Sequence, residues 1–193
     1  MTSYNWWEDK IPEKKWEDTF RGWVGDENAA SRLHLKKYLT EMKGQVNSIL
    51  ECGCAFSVDS GWIPKLGIKY SAIDFTQVFV DDCAGRGLDV AQSSIEDIKK
   101  ADEEYDIVYC RHVLEHLSYY EKALKEMIRV AKKEVIVIFF IPLQEVEQII
   151  FNEEMKLNHN RYALDRLMNF LKDYKVEYKM IDGINESILH IYK

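Results

Sequence analysis

SILECGCAFSVDSGWIPKLGIKYSAID, residues 48–74, is the stretch that decides the fold. It opens on a short apolar run at residues 48–51 and turns at Cys52-Gly53-Cys54-Ala55. Helical material follows over residues 60–66, and a second apolar run closes the stretch at residues 70–74. Apolar strands without polar alternation, separated by a helix, predict a parallel sheet covered on both faces.

The same rhythm extends outward. Downstream, the pattern predicts a helix over residues 78–84, strands at 87–91 and 105–110, and a helix over 119–131. A β-rich run at 134–140 ends at Pro142, which cannot donate to a ladder. Then the rhythm changes: a helix over residues 162–171 precedes two strands, 175–181 and 187–192, joined by Asp182-Gly183-Ile184-Asn185-Glu186, a hairpin signature. Upstream, residues 29–42 place Leu35, Tyr38, Leu39 and Met42 at helical spacings, with Gly44 as the stop. The expected architecture is a doubly wound α/β fold with a mostly parallel seven-stranded sheet and an antiparallel C-terminal hairpin. At 193 residues the chain fits one domain, with residues 1–43 as a helical cap or lid and residues 44–193 as the core. Residues 1–25 hold four of the five tryptophans, which suits helices packed on the sheet edge or a lid.

Charge and cysteine usage narrow the partners. Twenty-six basic against 33 acidic side chains give a formal charge of −7 with no basic stripe, which disfavours nucleic acid. The longest apolar run, residues 135–141, is too short to cross a bilayer, and the first residues have no secretory character. A cytoplasmic protein without membrane insertion is expected. Cys52, Cys54, Cys83 and Cys110 have no CxxC spacing, so reduced thiols are expected rather than a metal site. His112 and His116 stand four apart, but HVLEH lacks the pattern of a zinc helix and shows no third ligand. The sequence carries no mark of an oligomeric state.

Ligands of an open α/β sheet bind outside the carboxyl ends of the strands, so the residues following each strand matter most. They are Glu51 to Ser57 after the first, Asp74 and Phe75 after the second, Gln92 to Asp97 after the third, and Arg111 to His116 after the fourth. This set, spread over residues 48–142, resembles the class I S-adenosylmethionine-dependent methyltransferases, in particular the small-molecule branch that includes ubiquinone and menaquinone methyltransferases. The family's ExGxGxG motif reads here Glu51, Gly53, Ala55, Ser57, and YDIVYCRHVLEHL (residues 105–117) is similar to its post-fourth-strand motif.

The resemblance implies a Rossmann-like core, S-adenosylmethionine as cofactor and S-adenosylhomocysteine as product. It implies cofactor contacts from Glu51, Gly53, Cys54, Ala55, Asp74, Phe75, Ser94, Ile95, Cys110 and Arg111. Asp74 would accept the ribose hydroxyls, a bidentate task suited to a carboxylate, and Ser94 would face the adenine. His112 is the expected base or orienting group for a small-molecule acceptor, with His159 as the second candidate. Trp16, Phe20, Trp23, His116 and Arg161 are expected around the acceptor or in the lid. In-line displacement from a sulfonium asks mainly for alignment and exclusion of water.

Three competing readings make different demands. A dinucleotide dehydrogenase would carry GxGxxG, where Gly53 to Val58 holds a single glycine. A catalytically silent binding protein on the same fold would suit the replaced glycines but not the retained Glu51, Asp74 and fourth-strand motif. An RNA methyltransferase would need salt-sensitive polyanion binding from an acidic chain.

Overall fold

In the computed structural model, which describes residues 6–193 with the side chains of Trp16, Trp23 and Val24 excepted, seven strands make the main sheet among the described residues. Strands β1 (Ser48–Cys52), β2 (Lys69–Asp74), β3 (Val90–Gln92), β4 (Tyr105–Arg111) and β5 (Ala131–Phe139) run parallel. Strands β6 (Lys175–Met180) and β7 (Ser187–Tyr192) form the hairpin, and β7 pairs antiparallel with β5. The order across the sheet is β3-β2-β1-β4-β5-β7-β6. The expected Rossmann-like, mostly parallel sheet with its antiparallel finish is therefore present.

Alternation along the central strands explains why both faces are covered. Leu50 and Cys52 of β1 and Val108 and Cys110 of β4 enter one core, while Ile49, Ile107 and Tyr109 enter the other. Helices α5 (Glu121–Val130) and α6 (Leu164–Phe170) cover the first core, and α3 (Ala30–Glu41) covers the second. In α5 the buried residues Ala123, Leu124, Met127 and Ile128 recur at helical spacing. Full burial of each large one contributes ~1.5–3 kcal/mol relative to exposure. The remaining helices are α1 (Trp6–Lys10), α2 (Lys14–Val24) and α4 (Gln77–Gly85).

The structure departs from the sequence reading in a few places, each with a local cause. Residues 60–66 form two 3₁₀ turns, Val58–Gly61 and Ile63–Leu66, because Pro64 interrupts the backbone ladder and Gly67 ends it at φ +81°. The third strand is limited to Val90–Gln92, since Gly87 (φ +73°) belongs to the turn closing α4. Helix α5 ends at Val130 and β5 begins at the next residue, so the fifth strand starts at Ala131. Between β5 and α6, residues 141–161 contain a two-stranded ladder, Phe151–Asn152 with Leu157–Asn158, for which no strand is expected from the sequence.

Strand order reverses between β1 and β4: β1 pairs with β2 on one side and β4 on the other, in registers Cys52↔Ile73 and Cys52↔Cys110. The connections leave in opposite directions there and open a crevice beyond the carboxyl ends of the strands.

Candidate active site

The first wall of the crevice is the turn after β1. Gly53 adopts φ +76°, and a Cβ at that position would stand 2.5 Å from Val113 Cγ2, so only glycine fits against β4's following loop. Ala55 (φ 48°) and Ser57 (φ 51°) hold the left-handed conformation that glycine adopts freely. The turn thus keeps a glycine-rich shape with side chains in two of its places. Asp74 pins it: one carboxylate oxygen accepts the Ala55 N–H at 2.8 Å and the other the Thr76 N–H at 2.8 Å. The Thr76 side chain adds a further hydrogen bond to the same carboxylate. Burial pushes the Asp74 carboxyl up to about 6, against the pull of these two amide bonds.

Glu51 lies beneath the turn, not in the crevice. Tyr70 donates its hydroxyl proton to Glu51, and Ser57 Oγ sits 2.7 Å from the same Tyr70 oxygen. Burial, helped by the nearby Asp59 charge, lifts the Glu51 carboxyl to about 8. Asp59 is held by a buried Arg32 ion pair at 2.8 Å and by hydrogen bonds from Trp62 Nε1 (2.8 Å) and Tyr109 (3.0 Å). This polar cluster supports the turn from below.

The crevice is one continuous cleft of about 1220 Å³. Gly53, Ala55, Asp74, Phe75, Ser94 and Ile95 border one end, and Phe75 presents a half-exposed ring there. Ser94 closes a turn, its Oγ accepting the Glu96 N–H at 3.1 Å and its carbonyl the Asp97 N–H at 3.1 Å. Arg111, His112, His116, Phe140, Asn158 and His159 border the other end. Cys54 and Cys110 are buried and do not line the cleft. Arg161 also lies outside it; its backbone pairs with Gln148 beyond the short ladder. Trp16 and Trp23 have side chains outside the described residues.

The histidines differ in what holds them. His112 directly follows β4 in the left-handed region (φ 59°), and its Nε2 lies 3.1 Å from Glu186 Oε2 without the angle of a hydrogen bond. Burial lowers the His112 pKa, with the Glu186 carboxylate opposing. Glu186 stands at the end of the β6–β7 turn and also lies 3.9 Å from Arg111, whose Nε donates to Ser31 Oγ at 2.9 Å. Sequence reading missed Glu186, because nothing local ties that turn to β4. His116 Nδ1 is 2.9 Å from the Asn158 carbonyl oxygen, and burial pushes this imidazole down to about 4. His159 is lowered by burial as well.

Residues 50–139 match the sequence model of the methyltransferase domain family. The match is to a methyltransferase domain and runs from within β1 to the end of β5. No curated protein matches it in sequence. Among solved structures, it is similar to the 1,6-didemethyltoxoflavin-N1-methyltransferase of Burkholderia thailandensis, with bound 1,6-didemethyltoxoflavin and S-adenosylhomocysteine. That match has a TM-score of 0.71 at 15% identity and covers 92% of this chain and 83% of that one. The magnesium protoporphyrin IX methyltransferase of Synechocystis PCC 6803, with bound S-adenosylhomocysteine, gives a TM-score of 0.71 at 12% identity over 96% and 97% of the two chains. The [4+2]-cyclase SpnF gives a TM-score of 0.63 at 14% identity over 83% and 80%.

The cleft has the features that S-adenosylmethionine asks of a site. A Cβ-free turn at Gly53 allows close backbone approach, a buried carboxylate stands at the end of β2, and an exposed aromatic ring lies beside it. The roof of the cleft is aromatic: Trp6, Trp7 and Phe20 line it from above. Phe20 stacks on Phe79 at 5.4 Å between centroids and lies 4.5 Å from Trp7. Glu8 of α1 caps α4, accepting the N–H of Gln77 and, at 3.3 Å, that of Val78. Among the described residues no helix is long and apolar enough to cross a membrane.

Proposed function

We propose that the protein transfers a methyl group from S-adenosylmethionine to a small-molecule acceptor held beneath α1 and α2. The observation that carries this reading is the cleft itself. Its volume of about 1220 Å³ exceeds the ~300–1000 Å³ usual for one small ligand, and its two ends differ in chemistry. One end offers a carboxylate, a glycine turn and an aromatic face; the other offers histidines and apolar walls.

When bound, S-adenosylmethionine supplies a methyl group on a sulfonium, displaced in line by the acceptor. In this reading Asp74, at the end of β2, accepts the ribose hydroxyls, and Phe75 and Ile95 flank the adenine. The Ser94 turn faces the adenine edge, and the backbone at Gly53, Ala55 and Arg111 borders the methionine part. His112, backed by Glu186, orients the acceptor. The roof of Trp6, Trp7 and Phe20 excludes water, which strengthens every polar contact inside, and residues 1–43 act as the lid. Two structural neighbours are named as methyltransferases of 1,6-didemethyltoxoflavin and of magnesium protoporphyrin IX, which supports a small-molecule acceptor here.

Calorimetry with S-adenosylmethionine tests the reading, with Asp74→Ala as the control. Micromolar binding that weakens at least tenfold in the variant is expected; absence of binding to the native chain would overturn the reading. One observation favours a second reading: the fold also serves SpnF, a [4+2]-cyclase. A protein that binds the cofactor yet never releases S-adenosylhomocysteine with any acceptor would belong there. Salt-sensitive RNA binding would point to an RNA acceptor instead.

A further inference from the structure

At the acceptor end of the cleft, the tautomer of one histidine is fixed by its surroundings. His116 closes the 3₁₀ turn Leu114–His116 after β4. Its Nδ1 lies 2.9 Å from the Asn158 carbonyl oxygen. A carbonyl only accepts, so Nδ1 carries the hydrogen and Nε2 carries the lone pair. Among the described residues Nε2 makes no hydrogen bond, and the ring borders the cleft.

The pairing is built into the fold. Asn158 sits in the short ladder, and Asn160 clamps that ladder to the turn holding His116: its N–H donates to the Glu115 carbonyl at 2.9 Å and its amide group to the Leu117 carbonyl at 2.7 Å. The ring itself is packed against Phe140 (5.5 Å between centroids), His159 (5.3 Å) and Trp7 (6.4 Å). The titratable groups facing it are His112 and His159, both pushed toward the neutral form by burial. Glu154 and Lys156, at the ladder's turn, border the same cleft.

Charge around this end narrows the acceptor. Arg111 is committed to Ser31 and Glu186, and Lys156 is exposed and paired with Glu153 at 2.8 Å. Neither offers an open cation to a phosphate or carboxylate. The groups packed directly on His116 are the rings of Phe140, His159 and Trp7.

We propose that His116 Nε2 receives the proton an acceptor loses on methylation, and that the acceptor is an uncharged, flat aromatic or heteroaromatic molecule presenting an O–H or N–H. This rests on the methyl-transfer reading above. The acceptor heteroatom's lone pair forms the bond to the methyl carbon, the carbon–sulfur bond breaks with its electrons on sulfur, and the heteroatom's proton passes to Nε2. Burial keeps the imidazole unprotonated, with a pKa of about 4. A base that weak takes the proton as the new bond makes the acceptor cationic, not before.

His116→Asn tests this in the full chain, since asparagine retains an N–H for the Asn158 carbonyl and lacks Nε2. The probes are 7-hydroxycoumarin for an O–H and 7-amino-4-methylcoumarin for an N–H. Expected is S-adenosylmethionine binding within twofold of the native chain by calorimetry, with methylation of at least one probe slowed ~10²–10⁴-fold, the usual contribution of a positioned acid or base. Imidazole added to His116→Ala should recover part of the rate, which a merely structural role would not allow. Native turnover in His116→Asn overturns the role of Nε2. A native chain that binds the cofactor but methylates and binds neither probe overturns the acceptor class. Loss of cofactor binding by the native chain itself would mark failure of the methyl-transfer reading, and this proposal would fall with it.

Discussion

Ala55 and Ser57 show what it costs to keep a glycine-shaped turn without glycine. An L-residue in the left-handed region is destabilised by ~1–2 kcal/mol, and both residues sit there, at φ 48° and 51°. Ser57 recovers some of that cost through its hydroxyl bond to Tyr70, which in turn holds Glu51. For Ala55 no side-chain bond offsets the strain. Ala55→Gly should therefore stabilise the fold, although glycine's freedom in the unfolded chain returns ~0.4–1 kcal/mol of the gain. A rise of ~1–4 °C in Tm is expected for a domain of this size, with cofactor affinity equal or better. A lower Tm by calorimetry would show that the turn is not strained at this position. Ser57→Gly should show no such gain, because it strips the buried Tyr70 hydroxyl of a partner.

Helix α4 shows how an element at the site depends on one remote in sequence. Thr76 at its N-cap makes no side-chain cap, and the exposed N–H groups of Gln77 and Val78 are taken by Glu8 of α1. A carboxylate there also meets the positive end of the helix dipole. Glu8→Ala should cost ~1 kcal/mol, speed hydrogen exchange at the Gln77 and Val78 amides, and weaken S-adenosylmethionine binding several-fold by loosening the roof. Unchanged exchange at those amides would show that α1 does not anchor α4. The same example marks the boundary of what was legible in the sequence. Strand and helix periodicities, the Gly53 turn, Asp74 at the end of β2 and the β6–β7 hairpin were readable because each is a local pattern. Glu8 on α4, Glu186 on His112 and Asn158 on His116 were not, since each pairs groups that only the folded chain brings together. Ser57 read as a departure from a glycine motif, and its bond to Tyr70 became visible only with the neighbouring strand in place.

At the scale of the whole molecule, stability and pH are linked through a buried carboxyl that the cleft does not use. Glu115 is buried at the base of the acceptor end, where Oε1 accepts the Phe140 N–H at 2.7 Å and Oε2 is buried with no partner among the described residues. Burial lifts its pKa to about 8. A folded-state pKa above the unfolded value means that the folded chain holds a proton the unfolded chain releases. The contribution to stability is then complete below the unfolded carboxyl range, declines as pH rises from there through about 8, and is constant beyond. Its slope in that window is ~1.4 kcal/mol per pH unit. Glu115→Gln keeps an oxygen for the Phe140 amide and cannot ionise. Compared with the native chain, the variant should gain relative stability progressively between about pH 5 and 8 and hold it above that. Glu51, also raised to about 8, and Asp74, raised to about 6, titrate in both proteins and cancel in the difference. Denaturant unfolding of the pair at a series of pH values reads this directly. A stability difference independent of pH would mean that Glu115 is ionised throughout, and the acceptor end of the cleft would then carry a buried negative charge behind His116.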